Sequence, residues 1–292
     1  MFYLLYGFLY LLSLLPLRAL YLLSDFFYLV VYKLLGYRKK VVLHNLSIAF
    51  PEKSEAEKES IAARFYHNFC DTFIEAIKFI SVPPSFFKKH FVADYSSIDT
   101  LWQAGKNIQL HLGHNFNWEL ANLAFPFIIP YKTLVVYLPL NSKLFDRLFH
   151  KLRSRFGATM IAATHMRSEM LPHRNTQYII ALIADQSPAN PAEALWVPFF
   201  GRLTAFLKAP EAAARRGDLP VLFCHFVKLR RGYYKGYAQM GSLNPAARPE
   251  KELTLQYARF LEEVMRQHPD MWLWSHRRWK HEWKPEYQQN TA

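Results

Sequence analysis

The residues best placed for chemistry are His114 and Glu119, in the stretch LHLGHNFNWE that covers residues 110–119. This stretch follows a predicted strand and leads into a helical run. Inside a helix, a five-residue offset would turn the two side chains about 140° apart. At a strand-to-helix junction capped by Asn115 or Asn117, the carboxylate can fold back to an imidazole nitrogen. The pair therefore predicts a general base for a hydroxyl, with N–H groups of the helix start near a developing oxyanion.

Spacing alone is weak support for this pair. With 12 His and 23 acidic residues among 292, about one pair at this spacing is expected by chance. Two occur, and the second, His281 with Glu286, lies in a polar tail and is assigned to solvent. A capped helix with a structural histidine is one alternative for the first pair. A metal site built from His111, His114 and Glu119 is another.

Several other kinds of site are excluded. No GxSxG, GxGxxG, P-loop, HExxH or CxxC motif occurs, which argues against serine hydrolases, dinucleotide enzymes, NTPases and common zinc sites. Cys70 and Cys224 each lie in an apolar stretch, so neither a reactive thiolate nor a disulfide is predicted. The aromatic content of 16% favours apolar cavities and membrane interfaces. The net charge of +13 favours anionic partners, whether nucleic acid, lipid or an acidic carrier protein.

Short apolar runs alternate with helical stretches from Asn107 onward, which predicts an α/β fold with a mixed sheet flanked by helices. Ser54 and Glu57 form a capping-box pattern that starts a long helix reaching about Ile80. The predicted strands are Ile108–Leu112, Leu134–Leu138, Thr159–Ala163, Tyr178–Ala184 and Val221–Val227. The other predicted helices are Lys143–Phe156, Phe206–Arg216 and Glu250–Gln267. Residues 36–292 are predicted to form one catalytic domain.

Six further residues are candidates for substrate binding: Arg153, Arg155, Asp185, Gln186, Gly201 and Arg202. Asp185 and Gln186 end an apolar strand, where α/β sheets usually present functional groups; the alternative is a turn with an Asx cap. Gly201 and Arg202 combine a flexible backbone with a bidentate phosphate donor. Arg153 and Arg155, on the predicted helix Lys143–Phe156, offer the same chemistry. The alternative is that they belong to a solvated helix face.

The two ends of the chain are candidates for membrane contact. Residues 1–35 are almost entirely apolar and lack the features of a cleaved signal peptide, which predicts an N-terminal membrane-anchor helix, either spanning or interfacial. A buried core helix is the alternative. The basic cluster 38–40 would place the body on the cytoplasmic side. The tail from Trp272 to Lys280 alternates aromatic rings and cations, which suits either a membrane interface or packing against the body.

Four sequence blocks occur in order: YRKKVVLHNLSIAFP at 37–51, HNFNWE at 114–119, Asp185–Gln186 followed by VPFFGR at 197–202, and WLWSHRRWK at 272–280. In these blocks the chain resembles the late acyltransferases of lipid A biosynthesis, the lauroyl and myristoyl transferases, within the glycerolipid acyltransferase superfamily. The resemblance implies the superfamily's α/β fold and His114 and Glu119 as catalytic residues. It also implies a location at the cell inner membrane.

The resemblance further implies an acyl carrier protein thioester as donor and a hydroxyl of a lipid A precursor as acceptor. Transfer would be direct, without a covalent acyl-enzyme, in agreement with the missing serine motif, and no cofactor or metal is expected. Two alternatives stay open. The acceptor could be another lipid: a glycolipid, an aminolipid or a glycerophosphate. A basic, membrane-associated protein that binds nucleic acid or anionic lipid without catalysis is the non-enzymatic alternative.

Overall fold

The computed structural model describes residues 1–292 and has a seven-stranded mixed sheet with a separate two-stranded hairpin. The strands are β1 (Phe91–Ala93), β2 (Ile108–Leu112), β3 (Lys132–Tyr137), β4 (Thr159–Ala162), β5 (Tyr178–Ile183), β6 (Leu195–Phe199), β7 (Arg202–Phe206), β8 (Val221–Arg230) and β9 (Tyr233–Ser242). The large sheet has the order β1-β9-β8-β2-β5-β3-β4, and β6 pairs with β7. Neighbours in the large sheet are parallel except β8 and β9. The predicted mixed α/β sheet flanked by helices is confirmed.

Eleven α-helices surround the sheet. They are α1 (Phe2–Ser13), α2 (Leu17–Tyr28), α3 (Lys39–Ala49), α4 (Glu55–Lys78), α5 (Pro84–His90), α6 (Ser96–Gln103), α7 (Trp118–Ile128), α8 (Lys143–Arg153), α9 (Met166–Glu169), α10 (Ala209–Gly217) and α11 (Glu252–Gln267). The predicted capping box is present: the Ser54 N–H donates to Glu57 Oε2 at 2.8 Å and the Glu57 N–H donates to Ser54 Oγ at 3.3 Å. This reciprocal pair satisfies two donors at the start of α4.

All five predicted strands are present, with small changes at their ends. The predicted helix over 206–216 is shorter, because Phe206 completes β7 and Pro210 lies in the first turn of α10, where proline is well tolerated. Strands β1, β6, β7 and β9 were not predicted. Their sequences are short, or contain Pro198, Gly236 and polar residues that obscure the alternation of a half-buried strand.

Helices cover both faces of the sheet at the central strand β2, and the side chains of β2 alternate between these two faces. On one face the His111 ring packs edge-on against Tyr257 of α11, with ring centroids 5.5 Å apart. On the other face Leu110 shares an apolar cavity with Phe125 of α7. All five residues of β2 are buried. The carboxyl end of β2 therefore opens at one edge of a sheet that is covered on both sides.

The N-terminal segment, residues 1–35, forms two helices that meet at a sharp bend and pack on α4. The Lys78 ammonium donates to the carbonyls of Ser13 and Leu15, both at 2.9 Å, and so holds the end of α1. Helix α2 continues as a π-helix over Leu29–Leu34. No single helix is both long and apolar enough to cross a bilayer; Phe2–Ser13 and Leu17–Leu34 reach that length only together, with a bend of 116° between them.

The C-terminal tail packs against the body. Trp272 and Trp274 are fully buried, and the guanidinium of Arg278 is buried beside the Phe206 ring. The Asn45 side-chain amide of α3 donates to the carbonyls of Trp274, at 2.8 Å, and His276, at 2.7 Å. Of the two interpretations of the tail, packing against the body is the one that the structure has.

Candidate active site

The register of the sheet brings His114 and Asp185 together. Strands β2 and β5 are parallel neighbours in which Leu112 lies opposite Ile183. His114 and Asp185 each follow the end of their strand by two residues, so their side chains lie side by side at the carboxyl end of the sheet. The His114 Nδ1 lies 2.6 Å from Asp185 Oδ1, and the His114 backbone N–H donates to Oδ2 at 2.7 Å. Asp185 is thus held by both the ring and the backbone of His114.

The surroundings of Asp185 keep it ionised. The Trp272 indole N–H donates to Oδ2 at 2.6 Å, and the carboxylate is only 1% exposed. Burial raises the pKa of Asp185, but the charge and hydrogen bonds of His114, with the Trp272 bond, outweigh it and leave that pKa below its ordinary value. An ionised carboxylate only accepts hydrogen bonds, so the proton of a neutral His114 ring lies on Nδ1.

The other ring nitrogen, Nε2, is therefore the basic one. It faces the Gln186 side-chain amide at 3.2 Å, which can donate to its lone pair. The His114 side chain is 16% exposed, so part of the ring is open to solvent. A hydroxyl that replaces the Gln186 amide would meet a correctly oriented base.

A buried cation, Arg278, lies within electrostatic range of Asp185. Arg278 is 1% exposed, donates from Nη1 to the Ala205 carbonyl at 2.7 Å, and its Nε and Nη2 have no hydrogen-bond partner. Its carbon Cζ lies 4.1 Å from the centroid of the Phe206 ring. Burial lowers the pKa of Arg278 to about 10, although the negative charge of Asp185 opposes this shift. Arg278 thus supplies a positive charge within the electrostatic range of the Asp185 carboxylate.

The expected hydrogen bond between His114 and Glu119 is not formed. Helix α7 starts at Trp118 with Asn117 as its N-cap, whose Oδ1 accepts from the Leu120 N–H at 3.2 Å. The Trp118 ring packs edge-on against His114, and its N–H donates to Glu119 Oε1 at 3.1 Å. The indole therefore adjoins both residues of the expected pair, and Asp185 occupies the position beside Nδ1.

Glu119 instead binds Arg153 at the end of α8. The Arg153 Nε lies 3.1 Å from Oε1 and 3.0 Å from Oε2, and Nη2 also donates to Oε1. The Glu119 side chain is 4% exposed and that of Arg153 is 23% exposed. Burial lowers the pKa of Arg153, but the charge and hydrogen bonds of Glu119 outweigh it and leave that pKa above its ordinary value. The ion pair joins the start of α7 to the end of α8.

The remaining candidate binding residues have different surroundings. Arg155 donates to the carbonyls of Phe79, at 2.6 Å, and Val82, at 2.8 Å, so it ties α8 to the loop after α4. Gly201 has a φ of +72° in the β6–β7 turn, a conformation that glycine adopts without strain. Arg202 is exposed beside it, and its guanidinium makes no hydrogen bond within the protein. Of the six, only Asp185 and Gln186 contact His114.

The structure has no group of residues suited to metal binding or to thiol catalysis. No cluster of three or more His, Cys, Asp or Glu side chains is arranged to hold a metal ion. His111 is buried in β2 against the Gln109 amide, and burial lowers its pKa to about 3. Burial raises the pKa of Cys70 to about 12, helped by Asp71, and burial alone raises that of Cys224 to about 12. Both thiols are therefore poor nucleophiles at neutral pH.

Trp272 and Asn45 are functional candidates that no catalytic motif in the sequence predicts. Trp272 donates directly to Asp185, and Asn45 holds the backbone of the tail that carries it. Neither residue type by itself indicates catalytic chemistry. The only sequence feature that pointed to a role in the site is that Asn45 lies in the first sequence block and Trp272 in the fourth. The four blocks thus form one hydrogen-bonded chain that runs from α3 through the tail and Asp185 to His114.

Gly113, between β2 and His114, should not tolerate a side chain. A Cβ there would lie 2.8 Å from Leu261 Cδ2, 2.9 Å from Asn115 Oδ1 and 3.3 Å from Asp185 Oδ2. We expect Gly113→Ala to lower the free energy of unfolding by about 1–3 kcal/mol through overpacking, measured by urea titration. Gly7→Ala in α1 is the control, because no atom lies within 4 Å of its Cβ. Equal stabilities of the two variants would contradict this expectation.

Together, the fold and the site define an α/β protein with an oriented, partly exposed imidazole base at the carboxyl ends of two central parallel strands. Residues 1–281 match the family model described as bacterial lipid A biosynthesis acyltransferase, and the chain belongs to this family. Membership implies an acyltransferase activity in lipid A biosynthesis. A search of the curated proteins found no match.

Proposed function

We propose that the protein transfers a fatty acyl chain from an acyl carrier protein thioester to a hydroxyl of a lipid A precursor, with His114 as the general base. The observation that carries this proposal is the 2.6 Å contact between His114 Nδ1 and Asp185 Oδ1, which places the basic lone pair of the ring on Nε2. Family membership supplies the reaction class. Asp185 takes the orienting role that the sequence had assigned to Glu119.

The reaction proceeds by direct transfer. The acceptor hydroxyl gives its proton to His114 Nε2 while its oxygen attacks the thioester carbonyl carbon. The tetrahedral intermediate then collapses, the carbon–sulfur bond breaks, and the leaving thiolate takes the proton back from the imidazolium. The Asp185 carboxylate stabilises the imidazolium throughout. The amino-terminal N–H groups of α7, which starts four residues after His114, are the candidates to stabilise the oxyanion.

Glu119 and Arg153 have a positioning role in this proposal. Their ion pair sets the distance between the start of α7 and the end of α8, and the Trp118 indole that contacts His114 also donates to Glu119. Gln186 faces the base and is proposed to contact the acceptor. The exposed Arg202, with Gly201 and Arg155, remains a candidate for phosphate groups of the donor or acceptor.

We propose that residues 1–35 bind the cell inner membrane, with the catalytic domain, residues 36–292, on the cytoplasmic side. Helix α2 has a polar face, Tyr21, Ser24 and Asp25, bonded to the body. Its other face exposes Leu22 (73%) and Phe26 (58%). Further large apolar side chains are exposed nearby: Leu4, Phe8, Leu11, Leu14, Leu29, Leu34 and Leu35. An apolar surface of this kind on a basic protein suits an anionic membrane.

The test is a mass spectrum of lipid A from source cells that carry the intact gene, a deletion, or the His114→Ala form. We expect the deletion and His114→Ala to remove the mass of at least one acyl chain, because the base is missing in both. A matched control is His165→Ala, since His165 is exposed and its ring hydrogen-bonds only to its neighbour Thr164. This control should restore the full mass.

Each other outcome has a definite meaning. Lipid A unchanged by the deletion would refute the lipid A acceptor, and other glycolipids, aminolipids or glycerophosphates would then be assayed with the purified protein. Full restoration by His114→Ala would refute His114 as the base. The mass difference itself reports the length of the transferred chain.

A further inference from the structure

Glu75, on α4, is a buried carboxylate that joins three separate parts of the chain. It is 1% exposed. Its Oε1 accepts from the Tyr21 hydroxyl of α2 at 2.7 Å, and its Oε2 accepts from the Asn117 side-chain amide at 2.8 Å and from the Tyr234 hydroxyl of β9 at 2.8 Å. The N-terminal segment and the loop that follows His114 are therefore connected through one side chain.

No cation neutralises Glu75 directly. Two basic side chains bind Asp71, one helical turn earlier: Lys228 at 2.9 Å and Arg231 through Nε and Nη2. Burial raises the pKa of Glu75, and Asp71 adds to this effect, while the three donors oppose it. A carboxylate buried among neutral donors costs stability compared with an apolar side chain. Packing alone therefore gives no reason for a glutamate at this position.

The effect of Glu75 falls on Asn117. This residue is the N-cap of α7: its Oδ1 bonds the Leu120 N–H while its Nδ2 is held by Glu75. It lies between His114 and Glu119 in the chain and is fully buried. Glu75 thus holds the side chain of Asn117 at the end of the segment 113–117, here called the base loop.

On the other side, Glu75 connects to a helix with an exposed apolar face. The Tyr21 hydroxyl reaches Glu75, and two further polar residues of α2 bind the same region of α4 and the β8–β9 turn: Ser24 bonds Asp71 at 2.7 Å, and Asp25 bonds Arg231 at 2.7 Å. These contacts fix the position of α2 on the body. A displacement of α2 would remove a hydrogen bond from Glu75.

We propose that Glu75 is a positioning residue that couples the docking of α2 to the geometry of the base loop, so that acyl transfer is fast only while the N-terminal segment is docked. This inference rests on the proposed function. The segment 1–35 would then regulate the reaction as well as bind lipid. The coupling passes from Tyr21 through Glu75 to Asn117, and each of these residues can be changed conservatively.

The test compares Tyr21→Phe with Tyr32→Phe in the full-length protein in detergent. Each change removes one tyrosine hydroxyl of the N-terminal segment that donates to a glutamate of α4, since Tyr32 bonds Glu59 at 2.9 Å. Only Tyr21 is connected to the base loop, through Glu75 and Asn117. We expect Tyr21→Phe to lower kcat about tenfold through misplacement of the base, with KM for acyl carrier protein thioester and acceptor unchanged within about twofold. Tyr32→Phe should retain the wild-type kcat.

A double-mutant cycle with Asn117→Ser identifies the route of coupling. Serine is also a good N-cap, so it preserves the start of α7 and removes only the amide that binds Glu75. The combination with Tyr21→Phe should lower kcat no further than the stronger single change. Wild-type kcat in Tyr21→Phe, equal losses in both tyrosine variants, or multiplied losses in the double variant would each overturn the proposal.

Hydrogen exchange separates this inference from the proposed function. We expect Tyr21→Phe to speed amide exchange in the base loop about tenfold while Tyr32→Phe leaves it unchanged, whatever reaction the protein catalyses. If the wild-type protein transfers no acyl chain but the base loop responds to Tyr21→Phe, the proposed function fails and the coupling holds. If transfer occurs and the base loop does not respond, the coupling fails alone.

Discussion

Asp185→Asn should lower kcat by about three to four orders of magnitude without unfolding the protein. The asparagine side chain has nearly the same shape, but it has only one acceptor oxygen. Asp185 uses two: Oδ2 accepts from the His114 backbone and the Trp272 indole, and Oδ1 contacts the His114 ring. The asparagine oxygen can keep the first set of bonds only if its NH2 group faces Nδ1. A neutral imidazole then carries its proton on Nε2 and cannot accept one from the substrate.

This variant is measured by single-turnover transfer from acyl carrier protein thioester, together with a urea titration. Asp218→Asn is the matched control, because Asp218 is exposed and has a φ of +43°, a conformation that asparagine accepts readily. It should keep wild-type activity. A kcat for Asp185→Asn above a tenth of the wild-type value would show that Asp185 does not set the tautomer of His114.

The pairing of His114 with Asp185 shows what the sequence alone could and could not predict. The apolar runs of β2 and β5 were visible, and so were the polar residues at their ends. Their partnership required the order of the strands, because it depends on β5 returning to lie beside β2 rather than at the sheet edge. Strand order follows from long-range packing, and a single sequence without internal repeats does not encode it in any local pattern.

The turn of Glu119 away from His114 has a similar origin. A local argument could place both residues at a strand-to-helix junction, but it could not weigh a partner 34 residues further along the chain. Arg153 offers Glu119 a bidentate ion pair in a buried setting, which is stronger than a hydrogen bond to a neutral imidazole. The helix patterns were easier to predict, since the capping box of α4 and the amphipathic pattern of α11 are local signals.

The docking of the N-terminal segment is a third feature that was not predicted from the sequence. Its apolar composition predicted a membrane anchor, and that remains a prediction. Composition did not indicate that one face of α2 carries Tyr21, Ser24 and Asp25 in bonds with α4 and the β8–β9 turn. These polar residues lie at the spacing of one helical face, which is the local signal that could have revealed a docked helix.

Glu119→Ala should destabilise the protein by about 3–5 kcal/mol, because it leaves the Arg153 guanidinium poorly solvated and without a counter-charge. Arg153→Ala should cost a similar amount for the same reason. The double variant should cost much less than the sum, since neither charge is then left unpaired. Urea titration in detergent measures all three, with Glu286→Ala as the control: Glu286 belongs to the other His-x4-acid pair, its ion pair with Lys284 is exposed, and its loss should cost less than about 1 kcal/mol.

The same variants decide whether Glu119 acts in catalysis by itself. If Glu119 works through its ion pair, Glu119→Gln and Arg153→Gln should lower kcat by similar factors, of about ten to a hundredfold, because both release the start of α7 and the Trp118 indole beside His114. Their combination should be no worse than either alone. If Glu119 instead moves to His114 during the reaction, Glu119→Gln should abolish turnover while Arg153→Gln preserves it, because freeing the carboxylate would favour that movement.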